Sequence, residues 1–403
     1  MTSWTICGKH LGGELMANLD ERVNRRGTSC LKYDFAKERG MPEDVLPFWV
    51  ADMDFRTPDP VIEELVHRSR HGIFGYTDIK EDYREIIARW FKKRHEWEPK
   101  TESLVITPGV VFAICAAIRA FTRKGDGVMI SPPVYYPFSA SVRVNERRLV
   151  ENPLVLRYDR YEVDFADFER KIKEEQVKLF ILCSPHNPVG RVWRREELER
   201  IAEICLAHDV LVVADEIHQD FVRPGIRHTV FSSLSPEVEA KTITCTSPSK
   251  TFNLAGMQIS HIFVGNEDLR RGFCREIERT GYSQPNALGM FAAKAAYEHG
   301  EAWLEELLAY LEENIRRTKD FLMRELPKVR MVEPEGTYLL WMDLSAYGLT
   351  DKELDERIIR KGKLWLDSGH IFGTGGKGFQ RINAACPWSL LEEGLKRFAD
   401  CLD

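Results

Sequence analysis

Three polar residues stand just beyond runs that are almost wholly apolar. Asn187 follows LFILC (179–183) and a Ser-Pro-His turn, Asp215 follows VLVVA (210–214) directly, and Lys250 follows TITCT (242–246) and Ser247-Pro248-Ser249. Runs apolar at every position are strands covered on both faces, as in a parallel sheet. Ligands of open α/β sheets gather at strand carboxyl ends, and a carboxylate is rarely placed there without a cation to meet. A fourth stretch, LVIT (104–107), ends at Pro108-Gly109, with a helix starting near Val110. The first turn of such a helix has free N–H groups and the positive end of the dipole, and Gly109 lets a ligand approach the backbone. On this stretch alone, Gly109, Val110 and Val111 read equally well as a phosphate seat or an ordinary βα turn. A lysine amine can form a Schiff base with an aldehyde. A carboxylate can hold a pyridinium nitrogen protonated, and a helix terminus with serines can hold a phosphate. Together these groups describe a site for pyridoxal 5′-phosphate, whose ring is an electron sink.

The elements that position these groups alternate. Between the apolar runs, which also include VMI (128–130) and IFVG (262–265), lie helical patterns. In RREELERIAEICLAHD, Leu198, Ile201, Ala202 and Cys205 recur at i, i+3, i+4, i+7. This alternation predicts an α/β fold with a large, doubly wound, mainly parallel α/β/α domain at about 60–295. The last third changes character. One long helix is expected from Ala287 to about Glu325, then strands in GTYLLWMDL and FQRINAAC, then an amphipathic helix in SLLEEGLKRFADCL. These form a smaller α+β domain, residues 296–403 together with 16–59. Residues 1–15 carry no pattern and are expected to be a disordered extension.

The chain has 403 residues, 43% hydrophobic and 30% charged, with a net charge of -6. That is globular composition, and a mildly acidic protein has no bulk field for nucleic acid. The nine cysteines include no C-x-x-C pair, so neither a zinc knuckle nor a disulfide framework is indicated. Thiols inside apolar runs fit a reducing cytoplasm. No stretch is long enough to span a membrane, and no secretory leader is evident. His67 and His71 have i, i+4 spacing, but the RSR between them argues against a metal pair. GTGGKG (373–378) matches G-x-G-x-x-G, yet strand-like FQRIN follows it and no helix opens on it, so it reads as a turn.

The chain resembles fold type I pyridoxal-phosphate enzymes, the aspartate-aminotransferase superfamily, and within it the MalY/PatB-like subgroup of cystathionine β-lyases and cysteine-S-conjugate β-lyases. The resemblance runs from about Met16 to the end and rests on RRGT, WVADMDF, IFGYT, TPGVV, PPVYYPF, SPHNPVG, ADEIH, SPSKTFNLAG, EGTYLLWMD and GFQRIN in order. It implies that Lys250 bonds to the cofactor aldehyde and moves the Cα proton, and that Asp215 pairs with the pyridine nitrogen. It implies that Asn187 meets the phenolic oxygen, that Tyr135 stacks on the ring, and that Val110, Val111 and Ser247 hold the phosphate. It further implies that Tyr76 reaches the phosphate of a neighbouring subunit in a homodimer with a shared active site, and that Arg381 clamps the substrate α-carboxylate.

Two positions depart from the aminotransferase pattern. Gln258 stands where Arg or Lys usually meets the phosphate, and His218 where Tyr usually meets the phenolic oxygen. Both resemble the lyase subgroup. The expected reaction is α,β-elimination on L-cystathionine or an L-cysteine S-conjugate, giving a thiol, pyruvate and ammonia. An aminotransferase on the same scaffold is the first alternative, and a regulatory protein-binding role beside or instead of catalysis is the second. Asp52 and Asp54 either face substrate or cap a turn, with the turn favoured.

Overall fold

Seven strands form the main sheet: β1 (Leu104–Thr107), β2 (Gly127–Ile130), β3 (Arg148–Glu151), β4 (Val177–Cys183), β5 (Leu211–Asp215), β6 (Thr242–Thr246) and β7 (Ser260–Phe263). Their order is β1-β7-β6-β5-β4-β2-β3. Only β7 runs against the rest, pairing antiparallel with both β6 and β1. The unbroken apolar runs have a direct cause. Leu179, Ile181 and Cys183 of β4 pack into one core while Phe180 and Leu182 pack into another. Successive side chains leave opposite faces of a strand, and helices cover both faces. Helices Val110–Phe121 and Glu267–Arg279 lie on one side, Phe165–Glu174 and Arg195–Ala207 on the other. The structure, a computed structural model, describes residues 17–402; the extension expected at 1–15 lies outside them.

A second, antiparallel sheet has the order β8-β9-β11-β10, from β8 (Arg330–Met331), β9 (Leu339–Asp343), β10 (Asp367–Ser368) and β11 (Phe379–Asn383). Leu340, Met342 and Ile382 pack there against Leu391, Leu395 and Phe398 of helix Trp388–Leu402. Leu46–Pro47 pairs parallel with Leu364–Trp365, and Phe48 enters the same core. Trp49 then stacks on Trp365, with centroids 4.4 Å apart. The GTGGKG segment is a turn leading into β11.

Three expectations need correction. The long helix from Ala287 is two helices, Ala287–His299 and Glu301–Glu325, parted at Gly300. A Cβ at Gly300 would come within 2.6 Å of the Phe252 ring, so only glycine fits this junction. Strand β7 begins at Ser260, two residues before the expected run. Strand β3 was not foreseen, because an edge strand with an exposed Arg148 and a half-buried Leu149 carries no all-apolar signal. Among the described residues no helix is long and apolar enough to cross a membrane.

Candidate functional site

The parallel strands β1, β2, β4, β5 and β6 all end on one side of the sheet, and a cavity of about 350 Å³ lies across those ends. Asp215 is the last residue of β5, opposite Cys183 on β4 and Cys245 on β6. Its Oδ1 accepts from the Ile217 N–H at 3.2 Å. Burial pushes its carboxyl up to about 7, with the nearby Glu216 charge adding to the effect.

Lys250 sits on the short helix Pro248–Thr251, whose preceding Ser247 accepts from the Ser249 N–H. The Lys250 Nζ donates to the Ala51 carbonyl at 2.9 Å. Burial lowers its amine to about 8; Asp52 and Asp215 oppose that shift, and Arg381 and Lys32 add to it. An amine so placed is partly neutral near physiological pH, which is what a nucleophile or base requires.

Tyr135 follows β2, and its N–H donates to the Asn187 carbonyl at 2.9 Å. Burial raises its hydroxyl well above the ordinary value, so the phenol stays neutral. The Asn187 Oδ1 accepts from Arg381 Nη1 at 2.8 Å, leaving the amide N–H pair as what Asn187 can offer a ligand. The His218 ring is buried and its Nδ1 has no partner. Burial, with the Lys250 and Arg381 charges, lowers its pKa well below the ordinary value, so it is neutral.

Helix Val110–Phe121 has no side-chain cap at its start, and a Cβ added at Gly109 would meet nothing within 4 Å. The N–H groups of Val110 and Val111 therefore open onto free space. Ser247 lines the same cavity, but its Oγ donates to the Ile259 carbonyl at 2.8 Å. Ser249 and Gln258 also line the cavity. Sequence reasoning did not single out Ser249, since a serine beside a lysine carries no distinctive pattern.

Arg381 reaches the cavity from β11. Its Nη2 donates to the Trp49 carbonyl at 2.6 Å and pairs with Asp367, while its buried Nε has no partner among the described residues. Asp367 lines the cavity too and was also missed, because it lies in a short strand without apolar flanks on both sides. Asp52 and Asp54 neither cap a turn nor line the cavity. Arg25 pairs with both, at 2.5 and 2.7 Å, and the buried Lys32 Nζ lies 2.6 Å from Asp54 Oδ2.

Tyr76 is the one expected site residue that the chain does not bring to this cavity. It is 96% exposed and lines a separate groove with Phe74 and residues 281–288.

The remaining groups fit one kind of ligand. The open helix terminus suits an anionic end, the Tyr135 ring lines the cavity where a flat ring can stack, and a buried carboxyl and amine stand ready for a ring nitrogen and an electrophilic carbon. The unpartnered Arg381 Nε suits a further carboxylate.

The model of the aminotransferase class I and II family matches residues 43–398. Cystathionine beta-lyase PatB of Bacillus subtilis is 45% identical, with 96% of this chain and all of that protein aligned. Protein MalY of Escherichia coli is 34% identical over 94% of this chain and 97% of its own. Among solved structures, cystalysin from Treponema denticola, which contains a pyridoxal 5′-phosphate cofactor, superposes with a TM-score of 0.93 at 38% identity, covering 96% of this chain and 99% of its own. A strand-end cavity of this construction, on a chain matched over nearly its whole length, places the protein in the aminotransferase class I and II family.

Proposed function

We propose that this protein is a pyridoxal 5′-phosphate-dependent carbon–sulfur β-lyase, acting by α,β-elimination on L-cystathionine or L-cysteine S-conjugates. The observation that carries the reading is one cavity lined by the buried Lys250 amine, the buried Asp215 carboxyl and the uncapped start of helix Val110–Phe121. The match to PatB over the whole of both chains supports the same reaction.

Val110 and Val111, with Ser247 and Ser249 beside them, would hold the phosphate. Asp215 would hold the ring nitrogen, Asn187 and His218 would meet the phenolic oxygen, and Tyr135 would stack on the ring. The cofactor, when bound, supplies an electron-withdrawing ring that stabilises negative charge at the substrate Cα. Lys250 takes the Cα proton, a step its lowered pKa favours. Arg381 holds the α-carboxylate so that the Cα–H bond faces Lys250. Tyr135, neutral at working pH, keeps water from one face of the site. Loss of thiolate from Cβ then leaves an enamine that water converts to pyruvate and ammonia.

We assign residues 60–295 to a cofactor-binding domain and 16–59 with 296–403 to a second domain. The protein acts as a homodimer in which Tyr76 of each copy completes the other's phosphate site; its exposure beside exposed Ile73 and Phe74 supports this. A cytoplasmic location accords with the free thiols of all eight cysteines among the described residues. The test is incubation with L-cystathionine and no keto acid. Catalytic pyruvate release supports the lyase, and turnover that requires a keto-acid acceptor makes the protein an aminotransferase.

A further inference from the structure

Arg381 on β11 and Asp367 on β10 are register partners, so their side chains leave neighbouring strands on the same face. They form an ion pair that is 2% and 6% exposed. The pair carries no net charge before any ligand arrives. The Nε has no partner among the described residues, and the Arg381 side chain lines the cavity that a carboxylate would enter. Once it does, two carboxylates share one guanidinium inside a buried site, and two like charges so placed cannot both ionise without cost.

We propose that Asp367 takes up a proton from solvent as the substrate α-carboxylate docks on Arg381, so that one carboxylate replaces another on the guanidinium and no net charge is added to the buried site. The inference rests on the reading of Arg381 as the carboxylate clamp. Burial already lifts the Asp367 carboxyl above its ordinary value against the pull of Arg381.

Other titratable and charged groups surround it. Tyr135 and Tyr136, before helix Pro137–Val144, have hydroxyls raised by burial and are neutral. Arg39 lies over the Trp49 ring at 5.0 Å. His370 bonds to Ser368 Oγ at 2.8 Å. From the main sheet, Asp215, His218 and Lys250 line the same cavity; these are the groups proposed to engage the cofactor. Asp367 is thus a positioning residue that makes carboxylate affinity depend on pH.

The test compares L-alanine, which has no leaving group at Cβ, with ethylamine, the same molecule without its carboxylate. Dissociation constants for the holoenzyme are read from the visible absorption of the coenzyme between pH 6 and pH 8.5. The slope of log Kd against pH counts protons linked to binding, and the proton on the ligand amine enters both ligands alike. The expected result is that the alanine Kd rises more steeply with pH than the ethylamine Kd, by up to about tenfold per pH unit. In Asp367→Asn the extra slope disappears, and alanine binds several-fold more tightly at pH 8.5.

Equal slopes for the two ligands in the wild type overturn the proposal, as does an extra slope that survives in the variant. Equal wild-type slopes overturn it even if the variant folds poorly. Arg381→Lys separates the two readings. If it binds alanine as the wild type does, the clamp assignment fails; if it binds poorly while the wild-type slopes are equal, only the role of Asp367 fails.

Discussion

The Nζ of Lys250 and the hydroxyl of Tyr338 converge on one acceptor, the main-chain oxygen of Ala51, at 2.9 and 2.8 Å. The carbonyl thus holds the lysine from the side of the 49–55 segment while a buried tyrosine holds the carbonyl. When Lys250 engages another partner, the Tyr338 hydroxyl still satisfies that oxygen. Tyr338→Phe removes this second donor. Stability should fall by about 1 kcal/mol, and kcat should fall several-fold while the coenzyme spectrum is retained. Denaturant melts and steady-state assays check the two effects.

The neutral fraction of Lys250 should govern how fast apoprotein captures the coenzyme aldehyde. Burial lowers the amine to about 8, so the reactive form grows as pH rises and is nearly complete above that value. Capture followed by stopped-flow absorbance should level off near pH 9. A rate that climbs without a plateau to pH 10.5 would show an amine in an ordinary aqueous setting. Lys250→Ala should lose borohydride-fixable coenzyme altogether and slow elimination by at least about a thousandfold.

Arg381→Lys keeps the positive charge and loses the planar fork that meets Asn187, Trp49 and Asp367 together. Roughly 1.5–3 kcal/mol of charged hydrogen bonding is at stake. KM for cysteine conjugates should rise about tenfold to a hundredfold, with a smaller change in kcat. Initial rates across substrate concentration separate the two.

Lys32 is 1% exposed and lies against Asp54, which is 3% exposed. Lys32→Met takes from that buried carboxylate its buried lysine partner, while Arg25 still pairs with it. The variant should lose about 3–5 kcal/mol of stability, whereas the double variant Lys32→Met, Asp54→Leu should regain much of it. Unfolding midpoints of the two proteins decide whether the network is held by pairing or by packing.

Much of this arrangement was legible in the residues. Asn187, Asp215 and Lys250 could be found because each follows a strand buried on both faces, and such strands announce themselves as unbroken apolar runs. Arg381 was legible only through the resemblance, since β11 shows no feature that separates a clamp from a surface ion pair. Asp367 left no trace, because its significance arises from register with Arg381 across a sheet whose pairing the chain does not spell out. The ion network of Arg25, Lys32, Asp52 and Asp54 was hidden for the same reason: charged residues spaced along an irregular segment look solvated until the segment is folded over. Strand β3 escaped because its exposed Arg148 and half-buried Leu149 and Glu151 leave it no unbroken apolar run.

Part of the hold on the 49–55 segment comes from groups that leave the ribosome very late. Asn383 donates to the carbonyls of Val50 and Asp52 at 2.7 Å each, and Arg381 donates to that of Trp49. A nascent chain has already emitted every main-sheet residue of the cavity by Ser260, yet it lacks the latch that fixes the strip beside Lys250. A chain that stopped short of position 381 would therefore lack both the side chains that bind the Trp49, Val50 and Asp52 carbonyls and the arginine of the cavity.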